Sequence, residues 1–168
     1  MMLDSNECAQ LSAWWIEHQP SLKESIDSIG FSESCTSYDR VFIDEFMFRT
    51  QRCEAAFRTM NCGVGCHWLN DDDDQQQAFG ILTDIIVHRA YSSSSSPVAV
   101  LMKVDWFDPP TVHRSGMQLV RKNKRSAWNR NCPYIDIKQI VARNFVFWPR
   151  NPNVSQDSNK DYFVIYFK

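Results

Sequence analysis

Residues 98–108 read VAVLMKVDWFD. Val98, Ala99, Val100, Leu101 and Met102 follow one another without a polar residue, and Val104, Trp106 and Phe107 continue the run past Lys103 and Asp105. A membrane-crossing helix needs about 20 apolar residues. This stretch is half that length and rich in β-branched residues, so it reads as a strongly buried, central strand. Working outward, VFIDEFMFRT (41–50) reads as a strand or hairpin. AFGILTDIIVHRAY (78–91) reads as a strand pair or one bent strand, and YIDIKQIVARNFVFW (134–148) and DYFVIYFK (161–168) complete the set. Turn-forming stretches separate them: the Asp/Gln tract at 71–77, SSSSSP at 92–97, DPPTVHRSG at 108–116 and NPNVSQDSNK at 151–160. Short strands joined in this way favour a sheet that curls on itself, because closure removes exposed edges. The expected fold is α+β and mainly β: a small SH3-like or barrel-like curled antiparallel sheet behind an N-terminal helical segment. Residues 1–37 form the helical part and 38–168 the β-rich part of one compact unit.

In the helical part the period is near 3.6. Leu11, Trp14, Trp15 and His18 share a face behind the capping residues Asp4, Ser5 and Asn6, and Pro20 closes the helix. A second short helix is expected from Ser21, with Leu22, Ile26 and Ile29 on one side and Gly30 at its end. Core packing is the expected role of the two tryptophans.

The chain has 168 residues, of which 43% are hydrophobic, enough for one domain with a substantial core. It contains no transmembrane run, and MMLDSNECAQLSAWW carries acids where a signal peptide carries positive charge. The expectation is an intracellular protein with no membrane partner, whose six cysteines stay reduced. The net charge of −2 conceals two opposed halves. Residues 1–80 carry a net of −9, and residues 120–150 carry eight Lys/Arg against Asp136 alone, a net of +7. Asp71, Asp72, Asp73 and Asp74 read as a solvated loop, since the alternating ligands and glycine of an EF-hand are missing.

Several ordered motifs carry a resemblance. They are Val41-Phe42-Ile43-Asp44-Glu45-Phe46-Met47-Phe48-Arg49-Thr50, Arg58-Thr59-Met60-Asn61-Cys62-Gly63-Val64, Phe79-Gly80-Ile81-Leu82-Thr83-Asp84-Ile85-Ile86, Val98 to Asp108, and Ala142 to Trp148. In this order, and behind HQPS at 18–21, they resemble the domain of unknown function that follows the transposase in CACTA-type (En/Spm-like) DNA transposons. The resemblance spans nearly the whole chain, from Leu11 to Lys168. Two departures stand out: Asp44-Glu45 replaces the glycine of the first motif, and the glutamines of the last are absent. The resemblance implies a transposon-derived, nuclear, non-enzymatic binding module that engages protein or nucleic acid, with a transposase, a chromatin protein or DNA as partner. The alternative is an accessory DNA-binding domain that assists a transposase. A metal-dependent, nuclease-like enzyme comes third. The family assigns no catalytic residue to the domain, so none is carried over.

Candidate sites follow from the residue types. Cys62-x3-Cys66 with His67 offers one set of zinc ligands but no second set, with Cys132 and His113 reachable only through the fold; no metal or cofactor is expected. Asn61 to Gly65 reads instead as a tight turn, with small residues that let another strand come close. Asp84, Asp105 and Asp108 are the acids a two-metal nuclease would require. Cys66 with His88 or His113 is the available nucleophile pair, without an oxyanion motif. Alternation sends Phe145 and Phe147 to one face, and Phe163 and Ile165 to one face, as core. Exposed rings at a barrel rim would instead suit a methyl-lysine cage. RKNKRSAWNR at 121–130 sets Arg121, Lys122, Lys124, Arg125 and Arg130 around Trp128, cations for phosphates and a ring for a base. The plain alternative is a solvated connecting loop.

Overall fold

The computed structural model describes residues 1–54, 62–69, 72, 74–131, 133–142, 145–153 and 161–166. Helix α1 (Ser5–His18) opens with a capping box in which Asp4 accepts from the Glu7 amide at 2.8 Å and Glu7 accepts from the Asp4 amide at 3.0 Å. Pro20 begins a 3-10 turn, Pro20–Leu22, that runs into α2 (Lys23–Ile29) and ends at Gly30, whose φ of 102° suits glycine. Strand β1 (Cys35–Tyr38) starts inside the segment read as helical. A hairpin follows, β2 (Arg40–Ile43) and β3 (Phe46–Arg49), then one turn of helix, α3 (Gln51–Glu54). Asp44 sits at the hairpin tip with φ 53°, a left-handed conformation that Asp tolerates, so the turn survives without the glycine of the resembling motif.

The sheet strands are β4 (Gly63–Leu69), β5 (Gln75–Arg89) and β6 (Val98–Trp106), then β7 (Thr111–Val112) and β8 (Gln118–Arg121). After α4 (Ala127–Asn131) come β9 (Tyr134–Asp136), β10 (Ile140–Ala142), β11 (Phe145–Pro149) and β12 (Asp161–Tyr166). The first sheet runs β10-β4-β5-β6-β9, with β1 on β5 where β4 has ended, and the second runs β11-β12-β8-β7; the pairings are antiparallel. AFGILTDIIVHRAY is therefore one bent strand. Its bulge lies between Leu82 and Asp84, where the Thr83 hydroxyl donates to the Lys103 carbonyl at 2.9 Å.

The first sheet curls but does not close. Its edge strands β9 and β10 are consecutive in the chain, joined by the 3-residue 3-10 turn Ile137–Gln139 that Asp136 caps, so the covalent chain brings the two edges together without a ladder between them. Mainly antiparallel β structure with an N-terminal helix is thus what the chain adopts, and the barrel remains open.

Cross-strand register sorts the buried residues. On one face of the first sheet lie Cys66, Ala78, Leu82, Ile85, Met102, Val104 and Ile135. On the other, Ile86, Leu101 and Tyr134 meet Leu11, Trp14, Trp15 and Ile26 of the helices. That same face, further along, carries Phe79, whose ring meets Phe145 and Phe147 of the second sheet edge-on at 5.2 and 6.3 Å. Gly63 is not in a turn. It lies in β4, and a Cβ there would stand 3.0 Å from Phe147 and 3.1 Å from Phe145, so its small size serves close packing of rings.

The helical layer is registered on the sheet by one polar tie. His88 is fully buried; the Trp15 indole donates to its Nδ1 at 2.9 Å, and its Nε2 lies 2.8 Å from the Ser32 carbonyl. Indole only donates, so Nδ1 accepts and Nε2–H donates to Ser32. Burial holds the imidazole below its ordinary value, against the pull of the Ser32 carbonyl.

Two predictions follow from this packing. Leu101 and Met102 are neighbours in sequence and both fully buried, on opposite faces, so Leu101→Ala and Met102→Ala should each cost about 2–5 kcal/mol in denaturant unfolding. A loss under about 1 kcal/mol for either one would mean that β6 has a poorly covered face. The unfolded chain protonates His88 near pH 6.5, above the folded protein, so stability is fully present above that pH and declines as pH falls through the folded value. In His88→Gln the fall of stability as pH drops below about 6.5 should flatten; an unchanged slope would separate His88 from the acid response.

Candidate nucleic-acid interface

The basic segment 121–130 is folded onto the end of β6. Arg121 ends β8, Lys122 makes an isolated bridge to Phe107, and the Asp108 amide donates to the Arg121 carbonyl at 2.9 Å. Asn123 then donates to Asp108 at 3.0 Å, and a turn through Lys124 and Arg125 leads to α4. Asn129 fastens this helix to the sheet. Its Oδ1 accepts from the Trp106 amide at 2.6 Å, and its Nδ2 donates to the carbonyls of Trp106 and Asn123, each at 2.9 Å. The side chain pairs with Trp106 as a neighbouring strand would. From the other side, Gln10 of α1 donates to the Arg130 carbonyl at 2.6 Å. The segment is therefore anchored at both ends of its turn, and the solvated-loop alternative fits only its side chains.

Those side chains do not share one face. Arg121 points outward and donates to Asp161 at 2.7 and 3.2 Å, which holds that carboxyl below its usual range. Lys122 turns the opposite way and sets its ammonium 5.3 Å from the centre of the buried Tyr162 ring. Lys124 and Arg125 are exposed on the turn, and Arg130 is exposed on α4. The Trp128 side chain lies outside the described residues. Asp105, half-buried beneath this corner, is held above its usual value by burial, with Lys124 and Lys122 pulling the other way.

The other candidates do not assemble. Cys62 and Cys66 lie four residues apart along extended chain, roughly 13 Å, and His67 alternates to the opposite, exposed side. Burial, followed by the charge of Glu54, pushes the Cys62 thiol up to about 11. Among the described residues, no group of three or more His, Cys, Asp or Glu side chains is placed to hold a metal ion. Cys132, Asp71, Asp73 and the motif residues Arg58 to Asn61 lie outside the described residues. Asp84 accepts from the Ser37 hydroxyl at 2.5 Å and the Ile85 amide at 2.9 Å, serving the bulge, while Asp108 serves Asn123. His88 belongs to the helix tie, ten residues along β5 from Ala78, the cross-strand partner of Cys66; that is roughly 30 Å of strand. His113 bonds Ser115 in an exposed turn.

The aromatic residues bring one correction. Phe145 and Phe147 are core as expected, but on β12 the buried pair is Tyr162 and Val164. Phe163 and Ile165 face the other way, opposite Trp148 and Val146 of β11. Tyr91, Trp106, Phe107, Phe145, Phe147 and Tyr162 are buried, which removes them from any methyl-lysine cage. Nor did the sequence point to Asn129, whose strand partner lies 23 residues away.

Asn129→Ala should cost about 1–3 kcal/mol, because it leaves half-buried Trp106 backbone groups without their partner. Thermal melts check this; an unchanged melting temperature would show that α4 is not fastened through Asn129.

Comparison with protein-family models, with curated proteins and with solved structures finds no match for this chain.

Proposed function

We propose that the chain is a nucleic-acid-binding module without chemistry of its own, of the transposon descent that its ordered motifs suggest. The observation that carries this reading is a basic turn held in place from two sides: Asn129 and Gln10 fix its backbone while Lys124 and Arg125 remain exposed, with no ion pair among the described residues. A held cation cluster loses less freedom on meeting phosphate than a loose loop does. Asp84 and Asp108 are committed to local hydrogen bonds, which favours binding over metal-dependent cleavage. A nuclear location and work beside a transposase go with this descent.

A second reading, a protein partner such as a transposase or chromatin protein, is favoured by the β2–β3 hairpin. Phe42 and Phe46 are 68% and 46% exposed on either side of the acidic Asp44-Glu45 tip.

Replacing Lys124, Arg125 and Arg130, the exposed cations of the turn and of α4, together by Ala should weaken binding of labelled DNA and flatten the slope of log affinity against log salt by about 2–3 units. A titration at several salt concentrations reads both. Unchanged affinity in the triple variant would remove this segment from the interface.

A further inference from the structure

We infer that the outer face of the second sheet is a stacking platform for single-stranded nucleic acid, with Trp148 and Phe163 taking bases and Arg121 and Arg150 taking phosphates. This rests on the nucleic-acid reading above and names the surface and the strand form it prefers.

The platform comes from register. Trp148 pairs with Phe163, which pairs with Leu119, so an apolar row with two rings at its β11 end crosses β11, β12 and β8 on the side away from the core. Trp148 is 59% exposed, a large ring left in water on a sheet whose inner face is already filled by Phe145, Phe147, Tyr162 and Val164. The His113 ring meets Phe163 edge-on at 5.2 Å and extends the row. Two residues along the strands, roughly 7 Å, lies a charged row. There Asp161 accepts from Arg121 at 2.7 Å and from Arg150 at 3.5 Å, so one carboxylate orients two exposed guanidinium groups. Rings in one row and guanidinium groups in the next match the alternation of base and phosphate in an unpaired strand. Beside Arg121 a hollow of about 280 Å³, lined by Asp108, Pro109, Thr111, Leu119, Val120 and Arg121, has nearly the size of a small-ligand pocket and could receive a splayed base.

The charge selects the occupant. Arg121 and Arg150 face Asp161, with Asp108 also beside Arg121, and the surplus of positive charge comes from the neighbouring turn, where Lys124 and Arg125 have no ion pair among the described residues. A second copy docked by two-fold symmetry would bring two such rims together. A duplex, with its bases stacked inside, would offer the phosphates but nothing for the rings.

The test is a fluorescence-anisotropy titration of the full chain with labelled single strands of roughly twelve nucleotides, oligo-dT and oligo-U, a duplex, and an abasic strand of equal charge. Trp148→Ala should weaken single-strand binding by about 5- to 150-fold with an unchanged salt slope, since losing a stack releases no counterions. Trp148→Phe should retain most of the affinity, and duplex and abasic binding should not move. Phe163→Leu, chosen because Phe163 is partly buried, should show the same pattern at smaller size. Single-strand affinity within about twofold of wild type in Trp148→Ala would overturn the inference, and if the Lys124, Arg125 and Arg130 variant still lost binding, the nucleic-acid reading alone would stand. Absence of binding to any of the four probes would overturn both. A dimer in sedimentation that Trp148→Ala dissolves would assign the face to a second copy and overturn the inference as well.

Discussion

The architecture depends on β6 being covered on both faces. Leu101 looks toward Trp15 and the helices, while Met102 looks into the opposite cluster, and neither side chain meets solvent. Such a strand requires neighbours on both edges and a layer on each side. β5 supplies one edge along the whole length of β6, and Gly80 shows how closely: a Cβ there would stand 2.3 Å from Val104 and 2.9 Å from the Asp105 carbonyl. The bulge after Leu82 then turns β5 so that its first half pairs with β4 and its second half with β1. Curling follows from that bend and from the short link between β9 and β10, which cannot span a flat sheet of this order.

Two polar ties place the outer layers on this frame. An apolar contact between helix and sheet tolerates sliding, because burial is non-directional. The Trp15–His88–Ser32 chain does not, since each bond requires one donor and one acceptor at fixed positions. Asn129 does the same at the far end of β6, where an amide side chain matches the donor and acceptor of a single residue. Both ties hold the chain on either side of the central strand, so the basic turn inherits the rigidity of the core although it lies at the surface.

What the sequence made legible, and what it hid, follows from these interactions. An unbroken apolar run identified β6, and the 3.6 period identified α1, because burial imprints directly on composition. The β2–β3 hairpin showed through its apolar strands on either side of Asp44-Glu45. In contrast, Tyr162, Phe163, Val164 and Ile165 are all apolar, so alternation alone gives no phase. The phase is set by partners elsewhere in the chain, Val120 opposite Tyr162 and Arg121 opposite Asp161. Gly63 imitates a turn because glycine serves both tight turns and close packing, and only the rings of Phe145 and Phe147 decide between them. For the candidate interface, the charge of 121–130 was plain, but its anchoring was not, since Asn129 and Gln10 reach partners 23 and 120 residues away.

The arginine pair on Asp161 shows why an exposed ion network can matter for recognition while contributing little to stability. Ion pairs at the surface contribute roughly 0–1 kcal/mol, so this one is a poor reason for β8, β11 and β12 to associate. The rings beneath them already do that: Tyr162 and Val164 fill the inner face with Phe145 and Phe147. What the carboxylate does instead is aim. Without it, two long side chains would spread over many rotamers; with it, both guanidinium groups are held beside the ring row. A phosphate on the proposed platform would then meet oriented donors at a smaller loss of side-chain entropy. On the proposed platform Asp161 would thus spend part of the guanidinium charge to hold both groups in place for an anion.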